Sequence, residues 1–430
     1  MHLLRRFGHQ TFASLKIRNY RLYFIGQGIS LSGSWMQTIS QDLLVLRLTG
    51  SGAALGLVVA LQTLPVLLFG PWGGVIADRY PKRNIIYVTQ SLFGILALLL
   101  GTLVLTGLVK IWMIYLMAVA LGLVNSVDNP TRQTFVLDMV GRDHLANAVS
   151  LNSSEFNLAR VIGPTFAGAL ITAVDLGWSF ILNGLSYIPV IIMLYMMHAE
   201  ELQPTPLLPR AKGRLQEGFR YVKSSSLLLT PLIMMVLIGA LTYEFSVTLP
   251  LLARFTLKGS AGTYAALTAA MGVGAVIGGI YTAGRRRAGL RTLGISAALF
   301  GTSVLLTAIA PNLPLALLAL VLVGFFSINF TSLANVTLQL ESAPDMRGRV
   351  MALWTMASIG STPFGGPIIG WIGQLAGARL ALAVGGFAAL TAAAFCIWQM
   401  KRQTRADLQI EPDPDLEAQI EAKEDARVAK

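Results

Sequence analysis

Gly74-Val75-Ile76-Ala77-Asp78-Arg79-Tyr80-Pro81-Lys82-Arg83 ends one long apolar run of this chain and begins the next. A carboxylate, two arginines and a lysine crowd a turn of a few residues between stretches long enough to cross a bilayer. The turn is too charged to sit in lipid and too short to be a domain. Read plainly, it is a hairpin on the cytoplasmic side, where positive charge is kept. Gly70, Gly73 and Gly74 support a second reading, since glycine lets another helix approach the backbone closely. On that reading Gly74, Asp78, Arg79, Lys82 and Arg83 form a charged latch between helices.

Composition points the same way. A mean hydropathy of +0.64, with 54% hydrophobic and 13% charged residues, excludes an ordinary soluble domain. The chain has 430 residues, room for about twelve spans of roughly 20 residues with short connections. A net charge of +12 would suggest nucleic acid in a soluble protein. In a membrane chain the place of the charge matters more, and no nucleic-acid partner is expected. A single cysteine, Cys396, excludes an intramolecular disulfide, and no Cys/His spacing suggests a metal or other cofactor. The start of the chain is basic and mildly amphipathic, without a small-residue cleavage pattern, so no cleavable signal peptide is expected.

Apolar runs fall at about 20–46, 52–77, 84–108, 112–134, 147–173 and 177–197. They resume at about 227–251, 260–284, 292–309, 314–337, 349–372 and 376–399. The spacing predicts an interfacial lead-in over 1–18, a six-helix bundle over 19–198, a linker over 199–226, a second bundle over 227–400 and an acidic tail over 401–430. The linker carries Pro204, Pro206 and Pro209, then Leu215, Phe219 and Val222 at helical spacing opposite Arg214, Arg220 and Lys223. That pattern predicts a helix lying on the cytoplasmic surface. With both termini and the even-to-odd connections inside, 27 of the 33 Lys and Arg lie on that side. Arg47, Lys110, Arg254, Lys258 and Arg379 lie outside. Arg21, Arg132 and Arg349 sit at inner ends of runs and count as inside, and Arg160 alone falls deep within a run. The bias predicts N-in and C-in.

The two halves repeat. Gly163-Pro164 with Gly168 recurs as Gly366-Pro367 with Gly370, and Gly73-Gly74 before a basic turn recurs as Gly278-Gly279 before Arg285-Arg286-Arg287. Duplicated bundles show such weak internal symmetry. Only the first copy has a carboxylate in its turn. With its Gly74, Asp78, Arg79, Lys82 and Arg83, that turn resembles the G-x-x-x-D-R-x-x-R-R loop of the major facilitator superfamily, with lysine for one arginine. The resemblance implies an all-α membrane protein of twelve transmembrane helices in two pseudo-symmetric six-helix bundles. It also implies that helices one, four, seven and ten line a central cavity.

Few ionisable residues lie inside the runs: Asp42, Asp128, Glu155, Arg160 and Glu244. Each opposes insertion by about 2.5–3.5 kcal/mol at a span centre if unpaired. Asp128 and Arg132, four apart, share a helix face and are expected to join the network of Asp78, Arg79 and Arg83. Glu155 and Arg160 are five apart, about 140° round a helix, and make poor partners. Arg160 therefore looks to another helix or to an anionic substrate, and a cavity carboxylate is a candidate proton carrier. By the resemblance, Asp42 and Glu244, with Gln37 and Gln41 nearby, are candidates for substrate or proton contact. The Gly163-Pro164 pair, with Gly168 after it, resembles the fifth-helix kink motif of exporters in the superfamily.

A nearer resemblance runs from Asn19 onward. Asn19-Tyr20-Arg21-Leu22, Trp35-Met36-Gln37, Leu48-Thr49-Gly50-Ser51, Asp128-Asn129-Pro130-Thr131-Arg132-Gln133 and Ala159-Arg160-Val161-Ile162-Gly163-Pro164 resemble, in order, the enterobactin-exporter-like (transmembrane secretion effector) branch. That implies a multi-pass protein of the bacterial inner membrane, effluxing siderophores, drugs or other amphipathic small molecules in exchange for protons. No obligate protein partner is expected. An ATP-driven pump would need a G-x-x-x-x-G-K-[ST] loop, and this chain has none. A membrane enzyme would need paired acids at the interface, and the outer connections hold almost none. Uptake, or sensing without transport, stays open as an alternative.

Overall fold

The computed structural model describes residues 13–203, 214–283, 289–343 and 346–408. Most of the lead-in, the linker prolines, Arg285 to Arg287 and most of the acidic tail lie outside the described residues. All regular elements among those described are helical. The first five helices are α1 (Arg18–Thr49), α2 (Gly52–Arg79), α3 (Lys82–Leu105), α4 (Ile111–Ala173) and α5 (Leu176–Tyr195). A short helix, α6 (Arg214–Ser224), precedes α7 (Ser226–Leu241) and α8 (Phe245–Leu251). Then come α9 (Ala261–Ala283), α10 (Leu290–Ile309), α11 (Leu313–Glu341), α12 (Arg347–Gly360) and α13 (Thr362–Leu408).

Nine stretches among the described residues are long and apolar enough to cross a membrane. Large apolar side chains stand exposed along them, Leu68, Trp72, Leu116, Phe166 and Ile280 for example. That pattern suits a chain whose solvent is lipid. Helix α1 is not one of the nine. Gln27, Gln37, Gln41 and Asp42 lower its hydropathy, and these are the residues it buries. Helix starts are fixed by side-chain caps. Ser51 accepts from the Ala54 amide, Asp175 from Gly177 and Asn312 from Leu315.

Three differences from the predicted runs matter. The interval between 134 and 147 is helical, so α4 continues through it and turns only at Gly141. There φ is 68° and ψ 178°, a region open essentially to glycine alone. Pro164 lies inside this helix with helical dihedrals. The predicted run 227–251 is interrupted at 242–244, between α7 and α8. The Thr242 hydroxyl donates to the Gly385 carbonyl at 2.7 Å, tying the interruption to α13. In α6, Val222 is buried as expected, but Phe219 is 60% exposed, so the apolar face is only partly covered by protein.

Helices α1 to α5 pack on one another, and α7 to α13 do likewise. The repeat is visible in the contacts. Gly73 of α2 lies against the Ser126 carbonyl of α4, and Gly278 of α9 lies against the Phe325 carbonyl of α11. Gly163 meets the Ser32 carbonyl, but its counterpart in packing is Gly365, against Ala240, one residue before the glycine that sequence spacing suggests.

The two groups of helices touch along two seams, α2 with α13 and α4 with α9. In the first, Gly56 faces the Gly366 carbonyl so closely that no Cβ fits. The Gly52 amide there donates to Gln374 Oε1 at 2.7 Å. In the second, Gly168 meets Ala265 and Gly262. Both seams lie at the end of the molecule away from the 79–82 turn. Replacing Gly141 by alanine forces a Cβ onto a glycine-only conformation and should destabilise the fold by about 1–3 kcal/mol. A lowered apparent unfolding temperature of the purified protein in detergent checks this, and an unchanged one contradicts it.

Candidate functional site

One face of α1 carries Ser34, Gln37, Gln41 and Asp42 into a cavity of about 740 Å³. Helices α2, α4 and α5 supply most of the remaining wall, with Ser246, Ile359 and Thr362 from the second half. Nine lining residues are amides, including Gln62, Asn125, Asn129, Gln133, Asn152 and Asn183. Such a wall offers many donors and acceptors but few fixed charges. Asn183 Nδ2 donates to Gln37 Oε1 at 2.6 Å, and the Ser34 and Tyr187 hydroxyls lie 3.1 Å apart. A second, more open cleft of about 760 Å³ lies between the halves. Ser150 and Ser153 line it from one side, Tyr243, Asn335, Trp354 and Ser358 from the other. This cleft lies toward the end that carries the 79–82 turn, opposite the seams.

Three charged residues line the main cavity: Asp42, Arg132 and Glu155. Asp42 Oδ2 accepts from the Tyr264 hydroxyl at 2.6 Å, a bond from α1 to α9 across the two halves. Arg132 donates from Nε to Asp128 Oδ2 at 2.5 Å and from a terminal nitrogen to Gln27. Asp128 is wholly buried, and its other oxygen accepts from Thr89 at 2.5 Å and Gln90 at 3.0 Å. This closed set of donors ties α1, α3 and α4 together.

Lys82 and Arg83 of the 79–83 turn reach other helices. Lys82 donates to Asp138 at 2.6 Å, fastening the start of α3 to α4. Arg83 donates to the Leu194 and Tyr195 carbonyls at the end of α5, where orphan carbonyls need a donor. Asp78 and Arg79 are exposed at the end of α2, while Asp128 and Arg132 face inward. Local i,i+4 pairing and the α3 side chains, invisible as a pattern in sequence, decide where Asp128 goes. Gly73 makes a close helix contact, and Gly70 faces open space.

Glu155 is 8% exposed, and its Oε1 has no hydrogen-bond partner among the described residues. Arg160 does not pair with it, as the 140° separation predicts. Its guanidinium lies over the Trp35 ring, 5.4 Å from the centroid, and reaches Met271 Sδ at 3.7 Å. Glu244 is buried at the N-terminus of α8 beside Gly365 and does not line either cavity. The break at 242–244 turns it away from the face that an unbroken helix would present. Sequence reasoning missed the amides of α2, α4 and α5. Their signal was available, because an amide within an apolar run needs a partner as a charge does.

Paired helical halves around a polar central cavity define a transporter of the major facilitator type, a multi-pass membrane protein. The chain belongs to the transmembrane secretion effector family of that superfamily, whose family model matches residues 9–426. It is 27% identical over 378 residues to the enterobactin exporter EntS of Salmonella typhimurium, covering 86% of this chain and 89% of that one. It is 23% identical over 359 residues to the staphyloferrin A transporter of Staphylococcus aureus, covering 80% and 87%. Among solved structures it is similar to an inward-facing, unoccupied bacterial homologue of the lysosomal transporter Spinster. That match has a TM-score of 0.70 at 16% identity, over 92% of this chain and 98% of that one. The nucleoside transporter NupG matches with a TM-score of 0.69 at 12% identity, over 90% and 99%.

Replacing Asp128 by asparagine leaves the partly buried Arg132 cation without its counter-charge, a loss expected below the about 3–5 kcal/mol seen when a fully buried pair is broken. The further replacement Arg132→Gln should restore much of the loss. A double-mutant cycle on thermal unfolding checks the coupling, and additive losses contradict it.

Proposed function

We propose that this protein exports a small amphipathic molecule of the siderophore or drug type from the bacterial cytoplasm by proton-driven alternating access. One observation carries the reading: an amide-lined cavity lies beside a cleft that is open toward one end of the molecule, while glycine seams close the other. Alternating access requires such a midplane site with one mouth shut at a time. The relatives that include an enterobactin exporter support the direction and the class of cargo.

The reading takes the chain as twelve spans with both termini inside. Breaks at Gly141 and near Gly377 each divide one long apolar stretch in two, and α1 supplies the twelfth span. The lysine and arginine bias supports a bacterial inner-membrane protein with the 79–82 turn on the cytoplasmic side, and on that reading the open cleft faces inward. The bundles then run over 19–198 and 227–400, joined by the cytoplasmic linker. Glu155 is the leading candidate to carry the proton, because it faces the cavity and one of its oxygens lacks a donor. Asp42 is the second candidate, held by Tyr264 while the outer end is shut. Asp78 with Arg79, Lys82 and Arg83 acts when the cytoplasmic mouth closes, as the latch of that state. The protein works without an obligate protein partner.

The test compares small molecules inside and outside cells expressing the wild type, Asp78→Asn and Glu155→Gln at matched membrane levels. Export predicts compounds depleted inside and enriched outside with the wild type, and a loss of at least about tenfold in rate for Glu155→Gln. Asp78→Asn should also slow export with insertion intact. Enrichment inside the cell would establish uptake instead, and no difference for any compound would overturn transport as the function.

A further inference from the structure

Arg160 has the wrong neighbours for a structural cation. A guanidinium carries five N–H donors and matches a carboxylate in a two-pronged geometry. Here its contacts are an aromatic face and a thioether, Trp35 at 5.4 Å and Met271 Sδ at 3.7 Å. Its Nε is buried with no acceptor, and no carboxylate pairs with it among the described residues. Asp128 shows how the fold treats a charge meant to stay put, with donors from Arg132, Thr89 and Gln90. Nothing comparable is built around Arg160.

Its position explains the difference. Arg160 sits on the part of α4 that meets α9, where Gly272 packs against the Arg160 carbonyl. Trp35 beside it meets Phe156 edge-on at 5.6 Å, and Phe156 lines the main cavity. Tyr243, at the break between α7 and α8, lines the open cleft. Arg160 therefore lies at the seam between the halves, one aromatic layer behind the wall of the main cavity.

Resting on the export reading above, we propose that Arg160 is the anchor for an anionic group of the cargo, and that the cargo is a planar or aromatic carboxylate. The carboxylate supplies the counter-charge and the acceptor that the guanidinium lacks, and the flat body of the molecule packs on Trp35 and Phe156.

The probes are benzoate and benzamide, equal in shape and different in charge. Full-length protein in lipid nanodiscs is titrated with each while tryptophan emission is followed. The wild type should give a saturable change with benzoate, and binding of benzamide should be weaker by about tenfold or more. Arg160→Gln should abolish the benzoate response, Arg160→Lys should keep part of it, and Trp35→Phe should lose the optical signal while calorimetry still detects binding. Equal binding of the two probes, a full response from Arg160→Gln, or no saturable response from the wild type would overturn the assignment. Export is scored separately in cells. Export that persists without benzoate selectivity defeats this assignment alone, and an intact benzoate response without export defeats only the export reading.

Discussion

A polar side chain within a membrane-spanning helix has to find its partner in the protein or in a water-filled cavity, and this constraint organises the whole molecule. It sorts the buried polar residues into two kinds. Asp128 is satisfied from three sides, Gln37 is held by Asn183, and Asp42 by Tyr264. These fix helices to one another. Glu155 and Arg160, like Gln27 and Gln90, keep buried atoms without a hydrogen-bond partner among the described residues. Of these four, only in Glu155 and Arg160 does such an atom belong to a charged group. Both lie on α4, Glu155 in the wall of the main cavity and Arg160 where α4 meets α9.

Packing follows from the same limit. Helices in lipid gain little from apolar burial against one another, so close backbone contact and hydrogen bonds hold them. The seams use small residues where the halves meet, Gly56 on Gly366 and Gly168 on Gly262. Within each half, the matching contacts of Gly73 and Gly278 show one helix arrangement used twice. The halves are not equal in chemistry, though. Most of the cavity wall comes from the first, and the second contributes mainly the opposite face of the cleft.

The apolar runs were legible because lipid demands them, and so was the repeat. Asp42, Gln37, Gln41 and Glu155 could be found because charge and amide stand out against leucine and valine. What sequence hid was set by contacts across helices. The partners of Asp128 on α3 have no spacing relation to it. Continuation of α4 through 134–147 could not be told from a polar loop, since solvated helix and loop share a composition. The break at 242–244 lies in an apolar stretch with no proline at the interruption, and it displaced Glu244 from the wall. Gly365 took the place expected of Gly366 because helix contact depends on rotation about the axis, which spacing leaves loose by a residue.

The bond from the Gly52 amide to Gln374 carries one more consequence. The first amides of a helix have no partner within it, so this one is held on loan by a side chain of the other half. When the seam parts, water can take the place of the glutamine, and one hydrogen bond is exchanged for another at little net cost. That bond is therefore selective in geometry yet nearly neutral in energy. A contact of that kind can part and re-form without a large change in energy.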